Sequence, residues 1–374
     1  MKLSKLCTGL CLSASLFATP AFAQEGYQPA PENVQARQNF ADHKFGIFLH
    51  WGIYSMFAQG EWYLQNANID NKEYAKAAKG FYPAQFDAKQ WVSAFKQAGA
   101  KYICFTTRHH DGFSMFDTKY SDYDIVDASP FKRDIVRELA DECKRQGIKF
   151  HLYYSHIDWT RDDYPTGRTG RHTGKDPKKE DWNSYFTFMN IQIFERDLPG
   201  ENSAGLSGQS ISRLPLETCQ TMNGMWGYKV VDQNYKSVKT LIQYLVGAAG
   251  KGANLLLNIG PQPDGELPAA ALDRLKGMGE WLEKYGETVY GTTAGDVPTR
   301  PWGVTTRKGD KQYVHIMSLE DTSLFLPITA KVKKAVVFDS RKPVQFKQTK
   351  DGILLDLGLK PQDADYIVEL TMAR

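Results

Sequence analysis

"KYICFTTRHHDGF", residues 101 to 113, is an apolar run that ends abruptly in Arg, two His and an Asp-Gly pair. "YICF" reads as a buried strand and the polar residues after it as the loop at its C-terminal end. Just upstream, "DAKQWVSAFKQAGA" (87–100) places Trp91, Phe95 and Ala98 on one helical face and stops at Gly99. Working outward, "KFGIFLHWG" (44–52) and "KFHLYYSHIDW" (149–159) repeat the pattern of apolar run and polar, aromatic end. Between the last two strands, "SPFKRDIVRELADECKRQGIK" (129–149) predicts a helix with a Ser-Pro start, Ile135, Leu139, Ala140 and Cys143 on one face, and a stop at Gly147. This alternation is the signature of βα units around a parallel sheet.

The same texture returns after residue 230, with a helix over about 234–249, the strand and loop "ANLLLNIGPQPDGELP" (253–268), and a helix closed by Gly286. It changes near residue 292. Seven short β runs, "WGVTT", "QYVHIM", "SLFLPI", "KAVVF", "PVQFKQT", "GILLDL" and "YIVELTM", follow at a spacing of about ten residues, as in an antiparallel sandwich. The expected domains are 1–23, 24–292 and 293–374.

Residues 1–23 carry Lys2 and Lys5, an apolar stretch and "AFA", the pattern of a cleavable export signal ending near Ala23. The stretch is too short and too rich in Ser, Thr and Gly for a membrane span. The expectation is an exported chain, periplasmic or secreted. Removing Lys2 and Lys5 from the 46 basic residues leaves 44 against 43 acidic ones, which gives no argument for nucleic acid or an anionic membrane. Cys104, Cys143 and Cys219 remain, an odd number that supports no disulfide framework. Aromatic residues are 13% of the chain, and many sit among polar groups, as in "GEWYLQN", which suits sugar binding.

In a (βα) barrel the reactive residues lie at the C-terminal ends of strands. Those positions hold His50 and Trp51; Arg108, His109, His110 and Asp111; Tyr153, Tyr154, His156 and Trp159; Glu195, Arg196 and Asp197; and Asn258. A metal centre is disfavoured, because adjacent His109 and His110 would point oppositely if their strand continued. There is no "GxSxG" elbow, and "GAAGKGAN" (247–254) closes a helix where a phosphate site would open one. Glycoside hydrolysis fits better, since it needs two carboxylates with imidazoles, Arg and aromatic faces to hold the sugar. Glu195 in "FERD" is the candidate acid/base, and Glu201 in "PGEN" is held in reserve.

The stretches "KFGIFLHWGIYS", "GEWY", "TTRHHDGF", "HLYYSHIDW" and "LLLNIGPQPDG" together resemble glycoside hydrolase family 29, the retaining α-L-fucosidases. The resemblance implies an α/β catalytic domain, a (βα)8-like TIM barrel, followed by a C-terminal antiparallel β-sandwich. It implies that His50, Glu61, Trp62, His109, His110 and Tyr153 line a fucose pocket, that the acid/base falls on Glu195, that no cofactor or metal is needed, and that the partner is a fucosylated oligosaccharide or glycoconjugate. The family's nucleophile is an Asp in a segment that reads like "IWFDG", and no such segment occurs here. In "YFTFMNIQIFERD" (185–197) a helical pattern runs straight into a strand pattern. The absent piece belongs between Asn190 and Ile191, and at about 30 residues per βα unit it spans about two units, or roughly 60–70 residues. The alternative expectation is a non-catalytic fucose-binding protein.

Overall fold

The computed structural model describes residues 29–164, 175–182 and 215–373. Five strands, β1 (Phe45–Leu49), β2 (Tyr102–Arg108), β3 (Lys149–Tyr154), β4 (Leu216–Thr221) and β5 (Ala253–Ile259), form one parallel sheet in the order β3-β2-β1-β5-β4. Its outward face carries Phe45, Ile47, Leu49, Ile103, Phe105, Leu255 and Leu257. These pack in one large apolar cluster with the helices Ala88–Gln97 (α2), Ile135–Gln146 (α3), Val238–Gly250 (α4) and Ala269–Tyr285 (α5). The inward face holds a smaller cluster of Phe48, Tyr102, Cys104 and Leu256. Alternate residues of each strand therefore serve two different cores, as the two-residue period of a strand requires.

Side chains stand perpendicular to a flat sheet, and strands three places apart would lie roughly 14 Å from one another. Yet the Tyr102 hydroxyl on β2 donates to Glu217 Oε1 on β4 at 2.6 Å, across β1 and β5. The sheet is thus curled into an arc of a barrel. Gly46 on β1 makes room for this contact, since a Cβ there would lie 2.4 Å from the Tyr102 ring. The helix Pro31–His43 (α1) stands beside the same ring, with Phe40 packed on Tyr102 and His151. The sequence expectation is a (βα)8-like barrel lacking about two βα units; among the described residues the parallel sheet has these five strands and forms an open arc. β3 and β4 are the two ends of the arc.

The helix starts show local chemistry at work. The α2 helix is capped by Asp87, whose carboxylate accepts from Gln90 N at 3.0 Å. The α3 helix begins later than its Ser-Pro signal predicts. Ser129 caps a preceding turn, Lys132 adopts a left-handed φ of 57°, and Asp134 is the residue that caps the helix, through Arg137 N at 2.8 Å. The local Ser129 bonds compete with helix formation and win.

Each of the seven predicted C-terminal runs is a strand. They are β7 (Gly303–Lys308), β8 (Lys311–Ile316), β9 (Ser323–Leu326), β10 (Val332–Val337), β11 (Gln345–Gln348), β12 (Ile353–Asp356) and β13 (Tyr366–Met372), and a two-residue β6 (Thr293–Ala294) precedes them. They form two antiparallel sheets, β10-β13-β8-β7-β6 and β11-β12-β9, around a shared cluster that includes Val314, Leu326, Ile353, Leu355 and Leu370.

The crossing of α2 and α5 tolerates no side chain at Gly279, where a Cβ would lie 2.3 Å from the Gln97 carbonyl oxygen. Overpacking of this kind costs about 1–3 kcal/mol. Gly279→Ala is expected to lower the melting temperature by several degrees in a calorimetric scan; an unchanged melt would contradict the close crossing.

Candidate active site

A buried ion pair shapes the end of β2. Arg108 is 2% exposed, its Nη2 pairs with Asp158 Oδ2, its Nε donates to the Gly112 carbonyl at 3.0 Å, and its Nη1 donates to the Tyr154 hydroxyl at 2.9 Å. The other oxygen of Asp158 accepts from Thr160 N and Oγ1, both at 2.8 Å, and Trp159 N donates to the His110 carbonyl at 2.7 Å. Gly112 closes the turn at φ +73°, where a Cβ would collide with Thr160 Oγ1 at 2.2 Å.

Because β2 stops at Arg108, His109 and His110 do not alternate across a strand. Their ring centroids lie only 3.9 Å apart at 35°. Opposite pointing is expected only if the strand continues, and it ends before them: both imidazoles belong to one wall. Among the described residues, the one group of His, Cys, Asp or Glu side chains gathered closely enough to hold an ion is Asp117, Asp124 and Asp127, which includes neither imidazole.

That wall is continuous. Trp226 lies 5.1 Å from His50, His50 5.5 Å from His109, and His110 5.4 Å from Trp62 and 5.1 Å from Trp159. Tyr153 stacks on His109 at 6.2 Å, and Tyr54 meets the same ring edge-on at 5.3 Å. Glu61 is buried beside this wall, and its Oε2 accepts from Gly227 N at 2.7 Å. The six residues expected from the resemblance, His50, Glu61, Trp62, His109, His110 and Tyr153, are thus brought together. Glu195, Glu201, Arg196 and Asp197 lie outside the described residues.

Two strand-end residues turn elsewhere. Trp51 packs on Phe86 and Trp91 in the outer core and donates Nε1–H to the Gln262 carbonyl. Asp111 receives the Tyr74 hydroxyl at 3.2 Å, and burial raises its pKa to about 7. Sequence reasoning missed Trp226 and Tyr54. Trp226 follows β4 in "TMNGMWGY", so a search of the loop after that strand would have found it.

Burial dominates the electrostatics. It lowers His50 to about 3, with the His110 charge adding to the effect, and lowers His110 to about 4 against the opposing pull of Asp158. His109 is likewise held well down, and burial raises the Glu61 carboxyl while the Gly227 N–H opposes it. At neutral pH the wall is uncharged, with imidazole lone pairs and indole faces available to hydroxyl groups and apolar ring faces.

A parallel sheet that gathers such a wall at its C-terminal strand ends, followed by two antiparallel sheets, is an arrangement suited to a glycoside hydrolase. The sequence profile of the family described as Alpha-L-fucosidase matches residues 14–195 and 175–287, and the chain belongs to that family. The plasma alpha-L-fucosidase of Homo sapiens is 28% identical over 347 positions, covering 73% of this chain and 74% of that one. The alpha-L-fucosidase of Dictyostelium discoideum is 26% identical, with coverage of 92% and 95%. Among solved structures, the alpha-L-fucosidase isoenzyme 1 of Paenibacillus thiaminolyticus superposes with a TM-score of 0.78 at 29% identity, covering 91% of this chain and 99% of that one. The alpha-fucosidase of Thermotoga maritima, solved with a mechanism-based inhibitor, gives 0.71 at 25% identity, with coverage of 92% and 100%.

In the unfolded chain His50 and His110 titrate near 6.5. Their folded values lie below that, so the unfolded state binds more protons as the pH falls through this window. Their contribution to stability is complete above about pH 6.5 and declines toward pH 4 and 3. The melting temperature is expected to drop between pH 6 and 4, with a shallower slope in His110→Gln; an identical slope would contradict the burial of a neutral imidazole.

Proposed function

We propose that this chain carries the fucose pocket of a retaining α-L-fucosidase, recognises terminal α-L-fucosides, and hydrolyses them poorly. The observation that carries the reading is the contiguous wall of imidazole and indole rings from Trp226 through His50, His109 and His110 to Trp62. A pyranose offers hydroxyls on its edges and C–H groups on its faces, and the wall supplies partners for both.

Retaining hydrolysis needs an attacking carboxylate and an acid that protonates the leaving oxygen, the latter then serving as base toward water. Glu195, with Glu201 in reserve, is the acid/base candidate. The attacking Asp has no counterpart between Asn190 and Ile191, so the covalent step has no nucleophile. Alignment lengths support an absent segment. The 347 positions aligned with the human relative draw on 73% of a 374-residue chain, about 273 residues, which leaves about 74 positions as gaps in this chain. The two overlapping ranges of the profile match meet at residues 175–195, around the same junction. The signal-like residues 1–23 support export to the periplasm or beyond.

Loss of the nucleophile is expected to reduce turnover of an aryl α-L-fucoside by on the order of 10⁴-fold relative to an intact relative, while titration calorimetry detects L-fucose binding. Turnover equal to that of an intact relative would contradict the nucleophile argument, and failure to bind fucose would contradict the pocket. A chain that binds fucose with no detectable hydrolysis at all is the carbohydrate-binding alternative.

A further inference from the structure

Asn258 stands at the C-terminal end of β5 and is fully buried. Its Nδ2 lies 2.7 Å from the Trp226 carbonyl oxygen, and its Oδ1 lies 2.7 Å from His50 Nδ1. A carbonyl can only accept, so the amide nitrogen must face Trp226, and the flipped amide would set two oxygens against each other. The amide oxygen therefore faces His50. It has no proton to give, so His50 Nδ1 carries the proton in that bond.

The Trp226 carbonyl is itself held in place. A Cβ on Gly260 would lie 2.6 Å from Tyr228 N and 2.9 Å from the Trp226 carbonyl oxygen, so the two backbones touch, and Gly227 N is bound by Glu61. Two fixed backbone segments thus orient the amide, and the amide orients the imidazole.

We propose that Asn258 is a positioning residue that locks His50 in the Nδ1–H tautomer, so that its Nε2 accepts a hydrogen bond from a sugar hydroxyl. The proposal rests on the fucose pocket inferred above. It adds a direction to recognition: the hydroxyl opposite His50 donates its proton to the protein, and its own lone pairs stay available to other donors. A sugar whose oxygen at that place carries a substituent has no proton to give and meets a lone pair. Ser155 imposes the same polarity on His110, since its hydroxyl lies 2.8 Å from the Ile157 carbonyl and donates there. His110 Nδ1, 2.5 Å away, then donates to Ser155 Oγ, and its Nε2 is left as an acceptor.

The test is nitrogen-15 NMR of the imidazoles in the wild-type chain at pH 7, with and without L-fucose. The expected spectrum has His50 Nδ1 protonated and Nε2 unprotonated, with Nε2 shifting when fucose is added. Protonation at Nε2, or rapid exchange between tautomers, would overturn the proposal even if fucose binds. In Asn258→Leu the two nitrogens of His50 are expected to lose their distinct signatures, and fucose binding is expected to weaken roughly 5- to 10-fold, the equivalent of one neutral hydrogen bond. A purely structural role would lower the melting temperature and leave both tautomer and affinity unchanged, which would also overturn it. If Asn258→Leu does not fold, the wild-type spectrum decides. An absence of fucose binding combined with the expected tautomer would strike at the pocket reading and leave the tautomer assignment standing.

Discussion

The bond between Arg108 and Asp158 is the constraint on which the site depends. Both side chains are buried, so each charge needs the other, and Gly112, Tyr154, Thr160 and Arg161 engage further donors and acceptors of the pair. Removing one partner from such a pair typically costs 3–5 kcal/mol, because the remaining charge stays buried without compensation. This network ends β2, folds the chain back through Gly112, and fastens the loop after β3 to the loop after β2 through Trp159 and His110. Side-by-side imidazoles follow from that closure.

From this turn outward, the fold assigns each layer one task. The outer apolar cluster of strands and helices fixes the strands, the inner face curls around Tyr102 and Glu217, and the C-terminal ends present the imidazoles. Burial disfavours the charged form of these rings, and Asn258 and Ser155 engage Nδ1 of His50 and of His110. The wall so formed has indoles at its two ends, Trp226 and Trp62.

Much of this was legible in the sequence, for physical reasons that differ from place to place. The strands and helices follow from apolar periodicity, and the seven sandwich strands from regular spacing and turn residues. His50, His109, His110 and Tyr153 were visible because strand ends are where such a fold puts chemistry. The relative direction of His109 and His110 was not, because it depends on Arg108 finding Asp158 fifty residues away. The start of the third long helix differs because Ser129 prefers a local turn, and Trp226 stayed hidden because the mostly polar run "LETCQT" of β4 does not read as a strand, which leaves the loop after it unmarked as a strand end. The direct run of helix pattern into strand pattern at "YFTFMNIQIFERD" is a property of the sequence itself, and it remains the reason to separate binding from turnover in this chain.

Fucose binding between the imidazole wall and the indoles of Trp226 and Trp62 is open to direct test. A crystal structure of the full chain grown with saturating L-fucose tests it most directly. One bound sugar is expected, with a hydroxyl within hydrogen-bond distance of His50 Nε2 and the ring between Trp226 and Trp62. A sugar bound elsewhere, or a pocket filled only by water at saturation, would contradict it.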